Sequence, residues 1–395
     1  MSVLRKEMFE LPEGVIYLDG NSLGPLPKGA VQRAARVIET EWGGELIRAW
    51  NSAGWMELPR RVGDRIAGLI GAPAGSVATG DTLSIKVYQA LAAALKMRPE
   101  RRVILSDSGN FPSDLYMADG LMRTIDKGYE LRSPAPEDVA EAITEEVAVV
   151  MLTHVDYRSG RLHDMAAITA RAHEMGAVMV WDLAHSAGAV PVDIAGSGAE
   201  FAVGCSYKYL NGGPGAPAFI YVRPDVVEGI QPALSGWLGH EAPFAMELGY
   251  RPAMSTERMR VGTPPILQLA VLDVALDAWE GVDMGDLRAA SQALSERFIA
   301  EVEARCPALE LASPRDKHAR GSQVSFGFAQ GYAAMQALID RGVIGDFRAP
   351  NIMRFGFTPL FIDEADVVAA VGILAEVLDG ELWRAAKYQT RSRVT

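Results

Sequence analysis

Short apolar runs alternate with amphipathic segments along most of the chain. Arg102 to Ser106, Val147 to Thr153, Ala177 to Trp181, Phe201 to Cys205 and Ala216 to Val222 read as strands. They are apolar without alternation, as strands covered on both faces are. A shorter strand opens the segment 15–27 and runs into the polar turn Asp19-Gly20-Asn21-Ser22. Helical spacing and end signals predict helices over Lys28 to Trp42 (with Pro27 near the first turn), Leu58 to Ile70, Ser84 to Met97 and Asp164 to Met175. Asp164 is the expected N-cap of the last of these and Gly176 its C-cap. Residues 43–58, with Trp50 and Trp55 and Trp42 beside them, read as irregular, and so does Pro232 to Gly262. Thr263-Pro264-Pro265 starts an apolar helix reaching Trp279. From Met284 a long helix, a strand over Gln323 to Phe328 and a helix over Glu364 to Leu378 suggest a smaller α/β lobe, with Arg391 to Thr395 expected to fray.

Strand, helix, strand in succession implies an α/β fold on a mainly parallel sheet with right-handed crossovers. Ligands of such sheets collect at the carboxyl ends of the strands. Asp107, His154, Asp182 and Lys208 each follow or end a predicted strand, so four groups able to do chemistry are expected along one edge.

Composition narrows the partners. With 395 residues, two domains or one large domain with a satellite are expected. A formal net charge of -12 argues against nucleic acid or an anionic membrane as the main partner. Two cysteines, Cys205 and Cys306, have no metal-type spacing and suit a reducing compartment, so no metal site is expected. The charged start of the chain and the lack of a long apolar stretch predict a soluble, cytoplasmic protein.

Lys208 stands between Tyr207 and Tyr209, after an apolar run and before Gly212-Gly213-Pro214-Gly215. An isolated lysine is an exposed loop residue in most proteins. A lysine delivered rigidly from a sheet edge can instead lose its proton and form a Schiff base. Pyridoxal phosphate needs such a lysine, an acid against its pyridine nitrogen, a stacking group and a phosphate cradle. Asp182 can be the acid, and the alternative of a helix cap is weakened by the Leu183-Ala184-His185 that follows. Gly80-Asp81-Thr82-Leu83-Ser84 either cradles a phosphate at a helix N-terminus or contains an ordinary capping side chain. Asn21 and Ser22 are equally explained as a turn with its cap. Arg354 is either a surface residue or a two-pronged holder of a substrate carboxylate.

Taken together, Leu18-Asp19-Gly20-Asn21-Ser22-Leu23-Gly24, Asp182-Leu183-Ala184-His185, Ser206-Tyr207-Lys208-Tyr209-Leu210-Asn211 and Gly236-Trp237-Leu238-Gly239-His240 resemble the kynureninase family of the aminotransferase class V group. The resemblance covers about Tyr17 to Phe361. It implies a fold type I pyridoxal-phosphate enzyme with an N-terminal segment 1–45 packing on the small domain, a large cofactor domain 46–283 and a small C-terminal α/β domain 284–395. It further implies hydrolysis of the Cβ–Cγ bond of L-kynurenine to anthranilate and L-alanine, by a homodimer with its active site at the subunit interface. Lys208 would bind the cofactor covalently, Asp182 would pair with the pyridine nitrogen, Phe111 would stack on the ring and Asp114 would lie close by. His185 would sit beside the ring, while Thr82, the Leu83 amide and Tyr207 would hold the phosphate, with Tyr207 also a proton relay. Trp237 and Thr263 would reach the phosphate region from the partner subunit, and Arg354 would clamp the substrate carboxylate, with Asn21 and Ser22 at the substrate. Trp50 stands where animal members carry a histidine and Thr263 where they carry an asparagine, which implies a preference for kynurenine over its 3-hydroxylated form.

Other readings carry their own signatures. A cysteine desulfurase needs a cysteine free to swing into the site, and a serine–glyoxylate type aminotransferase needs a keto-acid acceptor. A dehydrogenase would show Gly-x-Gly-x-x-Gly after the first strand, which is absent. A non-catalytic cofactor-binding scaffold would be colourless when purified.

Overall fold

The computed structural model describes residues 3–390, so the fraying expected of Arg391 to Thr395 lies outside the described residues. Seven strands form the large sheet in the order Val77–Thr79, Phe219–Val222, Phe201–Gly204, Val178–Asp182, Val147–Thr153, Val103–Leu105 and Glu130–Arg132. Phe219–Val222 is antiparallel to both its neighbours, and every other pairing is parallel. The expected parallel sheet is therefore present with one reversed strand.

Successive strand residues serve opposite faces. Val149 and Met151 pack with Val87, Ala90, Leu91 and Ala94 of the helix Leu83–Met97. Val150 and Leu152 join the other core with Trp181, Ile66 and Leu210. Burial on both sides is why these strands lack polar alternation. Among the described residues, no helix is long and apolar enough to cross a membrane.

A second sheet, of four antiparallel strands, runs Glu310–Leu311, Gln323–Gly327, Ile352–Gly356, Asp346–Arg348. The helices Met284–Arg305 and Glu364–Asp379 pack together beside it. The start of the chain joins this part: Ile16–Tyr17 pairs in parallel with Val343–Ile344, and Lys6 bridges Asp363 and Asp366 at 2.7 and 2.6 Å. The helix Ala30–Arg36 packs instead on Ile266–Ala275.

Two local expectations are corrected. The first long helix begins at Ala30, not Lys28, because Gly29 takes φ +84 and Pro27 belongs to a two-residue strand paired with Phe9–Glu10. It continues past Trp42 as a wider helical turn, Val37–Glu45. Residues 43–58 are not wholly irregular: they hold the short helix Ala49–Ser52, whose Trp50 stands edge-on to Trp55 at 5.6 Å. Trp55 is buried and donates to Glu41 at 2.7 Å.

Candidate active site

Lys208 comes out of the strand Phe201–Gly204 on a turn that brings its Nζ to 2.8 Å from His185 Nε2. Burial pushes the His185 imidazole well below its ordinary range, and the Lys208 charge pushes it further, so the neutral ring accepts from the amine. The Lys208 turn is held from outside by the Asp19–Gly24 turn. Gly24 N donates to Tyr207 O at 2.8 Å, and a side chain at Gly24 would collide with Asn211 and with Lys208 O. Only glycine allows that approach.

Asp182 ends the neighbouring strand, buried, accepting from Ala184 N at 2.8 Å. Asp114, in the first turn of the helix Pro112–Ile125, meets it in a carboxyl–carboxyl hydrogen bond. Burial raises both carboxyl groups, Asp114 the more strongly because the Asp182 charge lies against it. Lys208, the Ala184 amide and the side chains of Asp114 and Thr153 all favour the ionised form of Asp182. Asp114 is therefore the member that keeps the proton.

Phe111 precedes this helix with its side chain 43% exposed and its ring edge-on to Tyr157 at 5.1 Å. Asn110 fixes the turn, accepting from Phe111 N at 2.6 Å and donating to Ser106 Oγ at 2.9 Å. Thr82 is the N-cap of the helix Leu83–Met97, yet no side chain caps that end. The expected alternative of an ordinary cap is thus not what the structure has: Asp81, at φ +58, points to Lys86 instead. Exposed amides with the positive end of a fifteen-residue helix behind them are a fit place for a phosphate. Tyr207 is half-buried next to Lys208, and burial pushes its phenol above the ordinary tyrosine range. At neutral pH Tyr207 is therefore a donor.

Arg354 is fully buried in the second sheet. Its Nε donates to Asp346 Oδ1 at 2.5 Å and its Nη2 to Asp346 Oδ2, so the flat edge of the guanidinium is already paired. Nη2 also donates to Ser22 Oγ at 2.9 Å, and Nη1 to the Tyr157 carbonyl. Ser22 in turn donates to Asp346 at 2.5 Å, and Asn21 to Gln323 at 3.3 Å. The two-pronged carboxylate clamp expected of Arg354 is thus engaged inside the protein, and one Nη1 hydrogen is left for a ligand.

Of the four strand-end groups, two are used structurally. Asp107 is paired with His163 at 2.7 Å. His154, stacked edge-on with Trp181 at 5.6 Å, is held neutral by burial, with a pKa of about 3. Trp50, Trp237 and Thr263 come together in one cavity of about 450 Å³, walled also by Ile47, Asn51, Met56 and Phe244. Neither Lys208 nor Thr82 lines it. Sequence reasoning missed Asp346, Tyr157 and Asn110. Asp346 was detectable, because Asp346-Phe347-Arg348 and Ile352-Met353-Arg354 alternate about a proline as a hairpin does, placing acid opposite arginine.

The buried acid pair fits pyridoxal phosphate on its own terms. Both carboxyl groups are sealed from water, and the positive charge acting on them is that of Lys208, the amine that the cofactor would claim. A protonated pyridine nitrogen against Asp182 would give the ionised member a positive partner in place of that lysine. A mainly parallel sheet that ends in such a pair beside a lysine defines a fold type I pyridoxal-phosphate enzyme. The fold agrees with a cysteine desulfurase from Thermococcus onnurineus NA1 (TM-score 0.81, 20% identity, covering 95% of this chain and 97% of that one). It agrees equally with C-DES bearing glycine linked to its PLP cofactor (TM-score 0.82, 16% identity, 94% and 99%). Residues 287–374 match the Kynureninase C-terminal domain and residues 90–204 the DegT/DnrJ/EryC1/StrS aminotransferase family. Kynureninases from Pseudomonas fluorescens and Burkholderia pseudomallei (strain 1106a) are 53% and 52% identical, each over 99% of this chain and 95% of the relative. The chain belongs to the kynureninase family, pyridoxal-phosphate hydrolases acting on a carbon–carbon bond. Both cysteines are buried, so the desulfurase fold comes here without a mobile thiol.

Asp19 gives the site a measurable pH signature. Burial, then the Asp346 charge, raises its carboxyl from 3.8 to about 7. A raised carboxyl contributes stability that is full below its unfolded value and is lost as pH rises through the folded one. Asp19→Asn should therefore flatten the decline in Tm between about pH 4 and 7. A decline as steep as that of the unmodified protein would show that Asp19 does not titrate there.

Proposed function

We propose that this protein hydrolyses the Cβ–Cγ bond of L-kynurenine to anthranilate and L-alanine, as a cytoplasmic homodimer. The observation that carries this reading is the buried Asp114–Asp182 pair beside Lys208 and His185, in a chain of this family. When bound, pyridoxal phosphate supplies an electron sink for charge that develops beside the substrate's α-carbon.

The residues have distinct tasks. Lys208 Nζ would hold the cofactor covalently, and its free amine would be the base placed to take the substrate's Cα proton. Neutral His185 holds that amine in position through Nε2. Asp182, ionised, keeps the pyridine nitrogen protonated, and Asp114, protonated, prevents a second charge from opening the pair. Phe111 covers one ring face, with its angle set by Tyr157. Thr82 Oγ1, the Leu83 amide and the Tyr207 hydroxyl bind the phosphate. With its phenol held protonated, Tyr207 can give a proton during the reaction but not readily take one.

Arg354 binds the substrate carboxylate through its remaining Nη1 hydrogen, with Ser22 and Asn21 completing that end. A substrate carboxylate thus enters a cluster where Asp346 already offsets one guanidinium, and Arg348 beside it supplies the second positive charge. In the proposed division of the chain, 46–283 carries the cofactor groups, while 1–45 and 284–395 carry Ser22, Asp346 and Arg354. Substrate therefore binds between them.

The aromatic cavity of Trp50, Trp237 and Thr263 serves the lysine of a second subunit. Its rim supports this: Ile47 is 77% exposed and Phe244 64%, apolar surface that a partner would cover. Its walls are mostly indole, phenyl and aliphatic, with Asn51 and Thr263 as the polar groups, so a ring hydroxyl would find few partners, which favours plain kynurenine.

Two outcomes test this reading. Lys208→Ala should bind the cofactor without the absorbance of a lysine-bound form, and retention of that absorbance would move the anchor elsewhere. Trp50→His combined with Thr263→Asn should raise the kcat/KM ratio of 3-hydroxykynurenine to kynurenine by about tenfold, the worth of one good hydrogen bond. An unchanged ratio would remove both residues from ring recognition.

A further inference from the structure

Lys86 has no part in the scheme above, yet it is wholly buried, on the second turn of the helix that Thr82 caps. Its Nζ donates to Asp81 Oδ2 at 3.0 Å, to Gln89 Oε1 at 3.0 Å and to the Met259 carbonyl at 3.2 Å. Gln89 Nε2 donates to the same carbonyl at 3.0 Å. Burial pushes the amine below its ordinary range and Asp81 opposes that, while the neighbouring Arg260 adds to it. An ammonium at such depth persists only with partners of this kind.

The partners lie on two different pieces of the site. Asp81 sits at φ +58 immediately before Thr82, with its carbonyl accepting from Ala218 N at 3.1 Å, so its side chain decides where the start of the helix points. Met259 ends the turn Thr256–Met259, and the residues after it run backbone to backbone along Gly236–Gly239. There is no room for a side chain at Gly236 against Val261, nor at Gly239 against Arg260. Where Met259 is held therefore sets both Trp237 and, four residues on, Thr263.

We propose that Lys86 is a positioning residue that holds the phosphate loop Gly80–Leu83 and the aromatic wall of Trp237 and Thr263 in register, acting through Asp81 on one side and the Met259 carbonyl on the other. The proposal rests on the reading of Thr82 and Leu83 as the phosphate cradle. A simpler account makes Lys86 a nearby positive charge that attracts the phosphate and Asp81 a charge that repels it. The two accounts part in a double substitution.

The experiment is titration of the apo-dimer with pyridoxal phosphate, followed by kinetics at saturating cofactor. Lys86→Met should fold, weaken cofactor binding by about tenfold or more, and raise KM while kcat stays within about twofold. Adding Asp81→Asn should leave binding as weak as in Lys86→Met alone, because both act through one link. Recovery toward the unmodified affinity would show a charge effect and overturn the proposal, and so would Lys86→Met protein that binds and turns over as before. If Lys86→Met does not fold, Asp81→Asn alone decides: asparagine tolerates a positive φ, so weaker binding supports the link and equal or tighter binding refutes it. Unmodified protein that fails to bind pyridoxal phosphate would overturn the functional reading and this proposal with it. Normal binding by the unmodified protein with an unaffected Lys86→Met variant overturns this proposal alone.

Discussion

Asp182 and Asp114 meet at the carboxyl end of the large sheet, both cut off from water, and two negative charges cannot persist together at that depth. Much of the site follows from that constraint. One carboxyl must keep a proton, and the other needs a cationic partner, a charge that Lys208 supplies. The lysine in turn must not be neutralised by a second acid, and it faces a histidine that burial keeps uncharged. A cofactor that brings its own protonated ring nitrogen would give the ionised Asp182 a positive partner once that lysine is engaged. The parallel sheet matters because it presents Asp182 and the Lys208 turn from adjacent strands, at fixed separation, on an edge closed by the Asp19–Gly24 turn.

The far end of the site obeys the same rule with the opposite outcome. Arg354 is as deeply buried as Asp182, but it carries its counter-charge with it in Asp346, its register partner on the next strand. Removing one member of such a pair leaves the other stranded, which costs about 3–5 kcal/mol. The pair therefore orients the guanidinium before any substrate arrives. In the proposed reading, specificity for an amino acid comes from the Nη1 hydrogen left over and from Arg348 nearby, not from a free arginine.

How much of this could be read in the sequence depends on where the determining contacts lie. Val147–Thr153 and Val178–Asp182 were legible almost to the residue, because burial on both faces writes an uninterrupted apolar run. Asp164 was legible as a cap because capping is local, and its carboxylate accepts from Ala167 N at 2.9 Å. The site residues were legible as motifs only. That Asp114 rather than Asp182 keeps the proton depends on packing between a helix and a strand distant in the chain. Lys86 could not be read at all: in a helix a lysine defaults to solvent, and only Asp81, Gln89 and Met259 assembled around it explain its burial. The start of the first long helix was misjudged because Gly29 takes a left-handed conformation and Pro27 pairs with Phe9, neither of which leaves a periodic trace.

In the proposed reading these groups cleave a carbon–carbon bond by hydrolysis, not by passing an amino group to an acceptor. The direct measurement is product formation from L-kynurenine by the cofactor-loaded protein with no keto acid present, following anthranilate by fluorescence and alanine by chromatography. Anthranilate and L-alanine should appear in equal amounts. Turnover only when pyruvate is supplied, with no anthranilate released, would contradict it.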